Sequence, residues 1–185
     1  RQLAETASVF SEMLTFHTIL DAETSEQSKR LMLADKIEDM LNTVVRQVAF
    51  HNFEYLVHTH RRQGELSSNE ISKFWVETQK QALGPGIRID DSFKPIWAYV
   101  PHFVHSPFYV YAYAFGDCLV NALWQVYQDG SDADFNIHYK TLLRSGGTVR
   151  FDQALIPFSL NPSEPEFWNK GLDMISTMID QLEGL

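Results

Sequence analysis

Residues 26–62 read EQSKRLMLADKIEDMLNTVVRQVAFHNFEYLVHTHRR. Leu31, Leu33, Ile37, Met40, Leu41, Val44, Val48, Phe53 and Leu56 recur in this stretch at the three- and four-residue spacing that lines up one face of an α-helix. No Pro or Gly interrupts the run before Gly64. The spacing predicts a helix, and at ~1.5 Å per residue it would be about 55 Å long. A helix of that length is expected to bend or break. A strand would need alternation with a period of two, and this stretch has none.

The same period extends outward in both directions. Ala4, Ala7, Phe10, Met13, Leu14 and Phe16 predict a first helix over 3–20, and Thr24 or Ser25 is placed to cap the long one. Ser67-x-x-Glu70 is a capping-box pattern that opens a helix carrying Phe74, Trp75, Thr78 and Leu83; Gly84-Pro85-Gly86 ends it. Residues 87–105 read as irregular, with Trp97 and Tyr99 packed. Ser106 followed by Pro107 predicts a helix start that runs to about Gln128. Shorter helices are expected over 133–144 and 149–155, separated by Gly146-Gly147. Ser163-x-x-Glu166, with Pro165 in the first turn, is expected to cap a last helix ending near Leu182. No alternating run and no internal repeat is present. The expected fold class is all-α, a multi-helix bundle forming one domain or one large piece of a domain.

Composition narrows the function classes. The chain has 185 residues, 44% of them hydrophobic, enough for a substantial core. A net charge of −9 and no basic run longer than Arg61-Arg62 argue against a nucleic-acid partner, which needs a clustered basic face. The single cysteine, Cys118, sits in an apolar helix and is read as a packed thiol, in keeping with a reducing, cytoplasmic setting. No run of about 18 apolar residues suggests a membrane span. The opening Arg1-Gln2-Leu3, without Met or a capping residue, is read as a fragment or a processed product.

The chemistry concentrates in Pro101–Asp117, PHFVHSPFYVYAYAFGD. Two histidines and three tyrosines surround a helix start, and imidazoles and phenols are the groups that donate hydrogen bonds to a developing oxyanion. An ordinary core helix favours Leu and Ala there, because each buried phenol needs a partner. The competing reading is an aromatic core. Tyr109 and Tyr113 are four residues apart and share a face, whereas Tyr111 points elsewhere. Near the amino end, Glu5 lies among Leu3, Ala4, Ala7 and Ser8; as an ordinary helical carboxylate it would be solvated, and with so little polar company it would need a metal, a cation or a donor. His51, His58 and His60 lack the i,i+4 spacing of a helical metal pair and read as surface or interface residues. No phosphate-binding loop, Ser-His-Asp set or Cys-His pair stands out.

Four stretches in order, ETASVFSEML (5–14), KIEDMLNTVVRQVAF (36–50), PHFVHSPFYVYAYAFGD (101–117) and LLRSGG (142–147), resemble the C-terminal portion of the oligoendopeptidase F group of the thimet oligopeptidase family of zinc metallopeptidases. The resemblance covers nearly the whole chain. It implies a zinc-dependent endopeptidase acting on short peptides, in which an H-E-x-x-H helix supplies two His ligands and the general base, and a Glu on a second helix completes the ligand set. Glu5 matches that third ligand. His102 and Tyr113 match the groups that stabilise the oxyanion, with His105 and Tyr109 placed to contact the substrate backbone. H-E-x-x-H is absent from the sequence and is expected upstream of Arg1, so the isolated chain is expected to be inactive and to bind Zn²⁺ weakly without the N-terminal part of the same protein. Relatives of the thimet branch carry a glycine-rich loop with a further Tyr where this chain has Val104, His105 and Ser106, and His105 takes that Tyr's place in this reading. The rival is a non-catalytic helical module that binds peptides or a partner, with Glu5 open to solvent; a helical domain binding a small anion through its histidines is a weaker rival.

Overall fold

The structure, a computed structural model, describes residues 6–146 and 148–185. Among the described residues, eight helices and three short 3₁₀ turns account for the regular structure, with no strand. The helices are α1 (Thr6–Ala22), α2 (Glu26–Arg61), α3 (Ser68–Leu83), α4 (His102–His105), α5 (Tyr111–Asp129), α6 (Phe135–Ser145), α7 (Phe151–Ala154) and α8 (Pro165–Gly184). The all-α reading holds. The long helix does not break: α2 runs uninterrupted for 36 residues. Of its two candidate caps Ser25 serves, its Oγ accepting the Ser28 N–H at 3.3 Å.

The chain divides into two compact units, Arg1–Met40 with Phe115–Leu185, and Leu41–Ala114. In the first, Phe10 sits among the rings of Tyr139, Phe135 and Trp124, at centroid distances of 4.6, 5.7 and 5.8 Å. Met13, Leu33, Leu119, Leu123, Leu155 and Met178 complete its buried interior. Gly171 lets α8 approach α5 closely: a Cβ there would lie 3.0 Å from the Cα and Cβ of Cys118. Cys118 is buried as expected, and burial pushes its thiol pKa up to about 12, leaving it an inert packing group.

The second unit is built on Phe50, Phe53, Trp75 and Val110, with Val57, Ile71, Trp97 and Phe103 packed against them. Fully burying an aromatic or branched side chain of this kind contributes roughly 1.5–3 kcal/mol. Both tryptophans satisfy their indole N–H, Trp75 on the Phe93 carbonyl at 3.0 Å and Trp97 on Ser72 Oγ at 3.1 Å. The capping box forms as the sequence suggests: Ser67 Oγ accepts the Glu70 N–H and the Glu70 carboxylate accepts the Ser67 N–H.

Three local expectations need correction. Tyr99 is not packed but 82% exposed. Ser163 does not cap α8, because its backbone N–H instead closes a turn onto Asn161 Oδ1 at 3.0 Å and the helix begins at Pro165 behind Glu164. The helix expected from Pro107 begins only at Tyr111, and the cause of that delay shapes the candidate site.

Candidate active site

α4 is a single turn. Pro101, the residue before it, offers its carbonyl to the N–H groups of Val104 and His105. Phe103 drives one side of the turn into the core, its ring 4.9 Å from Phe53 and 5.4 Å from Phe50. That anchor holds the adjacent His102 half-buried beside the start of α5. The chain then turns through Ser106, Pro107 and Phe108. Phe108 has φ 59°, the left-handed region that a bulky residue enters at a cost of roughly 1–2 kcal/mol. A Pro at the first helical position would have continued smoothly into helix; the left-handed residue postpones it by one turn.

Beyond this turn three of the residues singled out from sequence meet. His102 Nε2 and the Tyr113 hydroxyl are 3.1 Å apart, in hydrogen-bonding contact. The Tyr109 ring lies parallel to His102 at 6.4 Å with an interplanar angle of 7°, and edge-on to Tyr113 at 5.6 Å. Tyr113 is 38% exposed, so the pair is reached from solvent rather than sealed in a core. This differs from the aromatic-core reading, in which the phenols would be enclosed. With the proton on Nε2, the imidazole donates to the phenol oxygen and the phenol O–H is free to donate outward. His105 is exposed at the end of α4 and has no hydrogen bond to the cluster among the described residues. Glu5, expected as the metal ligand, lies outside the described residues.

Sequence reasoning missed Glu54. It sits on α2 within the apolar series Phe50, Phe53, Val57, and is only 1% exposed. Its Oε1 accepts the backbone N–H of Phe108 at 2.9 Å, across 54 residues of sequence, while Oε2 is buried with no hydrogen-bond partner. Burial raises its pKa; the Phe108 N–H and the nearby imidazoles of His58, His51 and His102 oppose that rise. His51 and His58, read from sequence as surface or interface residues, are half-buried, with ring centroids 6.3 and 4.7 Å from Phe108. A carboxylate inside an apolar helical stripe was the signal available in the sequence. Next to it an apolar cavity of about 320 Å³ is bordered by Val57, His58, Trp97 and Phe103.

Over residues 1–174, nearly the whole chain, the sequence matches the model of peptidase family M3. The chain belongs to peptidase family M3. Oligopeptidase PepF of Bacillus subtilis (strain 168) is 29% identical over 185 residues, covering 99% of this chain and 27% of that protein. An oligoendopeptidase F homolog of Borreliella burgdorferi is 30% identical over 147 residues, covering 78% of this chain and 24% of its own length. Among solved structures, a putative peptidase from Chlamydophila abortus superposes with a TM-score of 0.89 at 29% identity, over 99% of this chain and 31% of that one. Oligoendopeptidase-F from Enterococcus faecium gives the same TM-score at 22% identity, over 99% and 35%, and so speaks for the fold. This M3 chain thus spans about a third or less of the length of the relatives it matches.

The M3 chain does not by itself assemble a metal centre among its described residues: no three His, Cys, Asp or Glu side chains there converge on a point that would hold an ion. The donor set present at the His102 cluster, one imidazole and two phenols, suits hydrogen bonding to an anion rather than Zn²⁺ ligation. None of the helices, over the described residues, is long and apolar enough to cross a membrane.

Proposed function

We propose that this chain is the C-terminal part of the catalytic domain of a zinc-dependent oligoendopeptidase that cleaves short peptides in the cytoplasm. The observation that carries the reading is the 3.1 Å contact between His102 and Tyr113 with Tyr109 stacked against it, which brings together residues assigned separately to oxyanion stabilisation and substrate contact. Membership of the family and the names of the relatives support the peptidase class.

In this reading the chain's own groups act on the substrate carbonyl. As the scissile carbonyl becomes tetrahedral, its oxygen gains negative charge. The Tyr113 O–H donates to that oxygen, while the His102 N–H donates to the phenol oxygen, so that His102 stabilises the oxyanion through Tyr113; their mutual hydrogen bond and the Phe103 anchor orient the pair before the reaction. Tyr109, fixed against both rings, and His105, exposed one helical turn from His102, contact the peptide backbone. Zn²⁺ would be held by Glu5 together with the two histidines of an H-E-x-x-H helix supplied by the N-terminal part of the same protein, and when bound it would provide the activated water.

The test compares two preparations. The complete protein should hydrolyse a short unstructured peptide, lose that activity on treatment with a chelator, and regain it with added Zn²⁺. The 185-residue chain alone should show none. Hydrolysis by the isolated chain, or hydrolysis by the complete protein that survives metal removal, contradicts the proposal.

A further inference from the structure

We infer that Glu54 is a positioning residue for the oxyanion donors: its buried carboxylate holds Phe108 in the left-handed turn that delivers Tyr109 and Tyr113 to His102. The inference rests on the peptidase reading of that cluster and goes beyond it, because the hydrogen bond of Glu54 goes to the Phe108 backbone and not to either ring of the donor pair.

Three observations converge. A bulky residue at φ 59° persists only where its surroundings hold it, and such outliers gather at functional sites. Phe108 is held by a hydrogen bond from its N–H to a carboxylate on a different helix, at 2.9 Å, together with the imidazoles of His58 and His51 packed against its ring. The turn also sets the phase of the helix after it. The Tyr109 N–H returns to the Ser106 carbonyl, the Tyr113 N–H to the Val110 carbonyl, and α5 starts at Tyr111 rather than Pro107. A helix begun at Pro107 would take another path through 107–110, and Tyr109 would lose the geometry that now places it parallel to His102. A carboxylate in the middle of a core stripe costs solvation, and its position makes sense as the acceptor for a turn whose own sequence favours helix.

The charged and titratable groups facing Glu54 are His51 and His58 on its own helix and His102 on α4. The role assigned to Glu54 is that of an acceptor, so it depends on the oxygen's place rather than on its charge. In the complete protein, Glu54→Leu, similar in volume but without an acceptor, should lower kcat by about 10- to 100-fold and change KM by less than about twofold. Glu54→Asp, which keeps the charge and the polarity of the site but falls a methylene short of the Phe108 N–H, should lower kcat about tenfold or more and protects the test against misfolding of the leucine variant. Glu54→Gln keeps an oxygen in place and should retain at least about a third of kcat. Hydrogen exchange in the 106–113 segment, read by mass spectrometry, should quicken in the Leu and Asp variants and not in the Gln variant, with α3 unchanged. Tyr113→Phe in the same preparation separates the two ideas. If it lowers kcat while Glu54→Asp leaves kcat and the exchange of 106–113 at wild type, the positioning role is overturned and the peptidase reading stands. If Tyr113→Phe also leaves kcat unchanged, the assignment of the His102–Tyr113 pair to the oxyanion fails as well, and with it the site that Glu54 is held to position. A Glu54→Gln loss as deep as that of Glu54→Asp overturns the acceptor role.

Discussion

His102 Nε2 and the Tyr113 hydroxyl stand 3.1 Å apart although the two residues are eleven positions apart in the chain. The contact links a one-turn helix to the first turn of a nineteen-residue one. It makes the two side chains one donor unit, since rotating either ring away leaves the other without its partner.

Residues that act as a unit lose their effect together. In the complete protein, His102→Gln and Tyr113→Phe should each lower kcat markedly, while the double variant should fall no more than about tenfold below the weaker single. Steady-state kinetics on the three variants checks this. A double variant whose loss is the product of the two single losses would mean that the groups act independently.

Glu5 belongs to a different role and should behave differently. Glu5→Gln should lower the zinc content of the complete protein, measured by atomic emission after gel filtration, because a neutral amide is a poorer ligand for Zn²⁺ than a carboxylate. Full zinc occupancy in that variant rules out Glu5 as a ligand.

Stability should carry a pH signature from Asp117. Burial pushes its carboxyl from 3.8 up to about 6, against the opposing attraction of Lys36 and the hydrogen bond from Asn121 Nδ2. Lys36 is itself largely engaged by Glu12, its Nζ 2.5 Å from Oε1. A raised pKa means that the folded state holds the proton more tightly than the unfolded state. The contribution of Asp117 is therefore present below about pH 4 and is lost as pH rises through about 6, an effect on the order of 2 kcal/mol after allowing for its partial exposure. Asp117→Asn should raise the Tm above pH 6 and leave it near the wild-type value at pH 4. Parallel Tm–pH curves for the two proteins would contradict this.

The parts of the fold that sequence reveals are those settled locally. The helical period of α2 and the reciprocal Ser67–Glu70 cap depend on neighbours within four residues; the helix and the cap both form, although Leu31, Leu41 and Val48 of the expected stripe are exposed. Ser106-Pro107 carries an equally clear helix-start pattern, yet α5 begins at Tyr111, because Phe108 takes a left-handed φ of 59°, its N–H donating to Glu54 from 54 residues away. A local pattern holds no information about that partner. Ser163 fails as a cap for a nearer reason, the competing turn onto Asn161. At the candidate site the residue types of His102, Tyr109 and Tyr113 pointed to donors, and helical spacing put the two tyrosines on one face; their meeting with His102 follows a left-handed turn at Phe108 that local spacing does not reveal. Glu54 itself was legible in principle, as a lone charge among Phe50, Phe53 and Val57.

The most direct test of the account is the turnover of Tyr113→Phe in the complete protein with its zinc content measured on the same sample. Loss of one oxyanion donor should lower kcat about 10²- to 10³-fold with KM and zinc content close to wild type. A wild-type kcat in a fully zinc-loaded Tyr113→Phe protein would contradict the assignment of the His102–Tyr113 pair to catalysis.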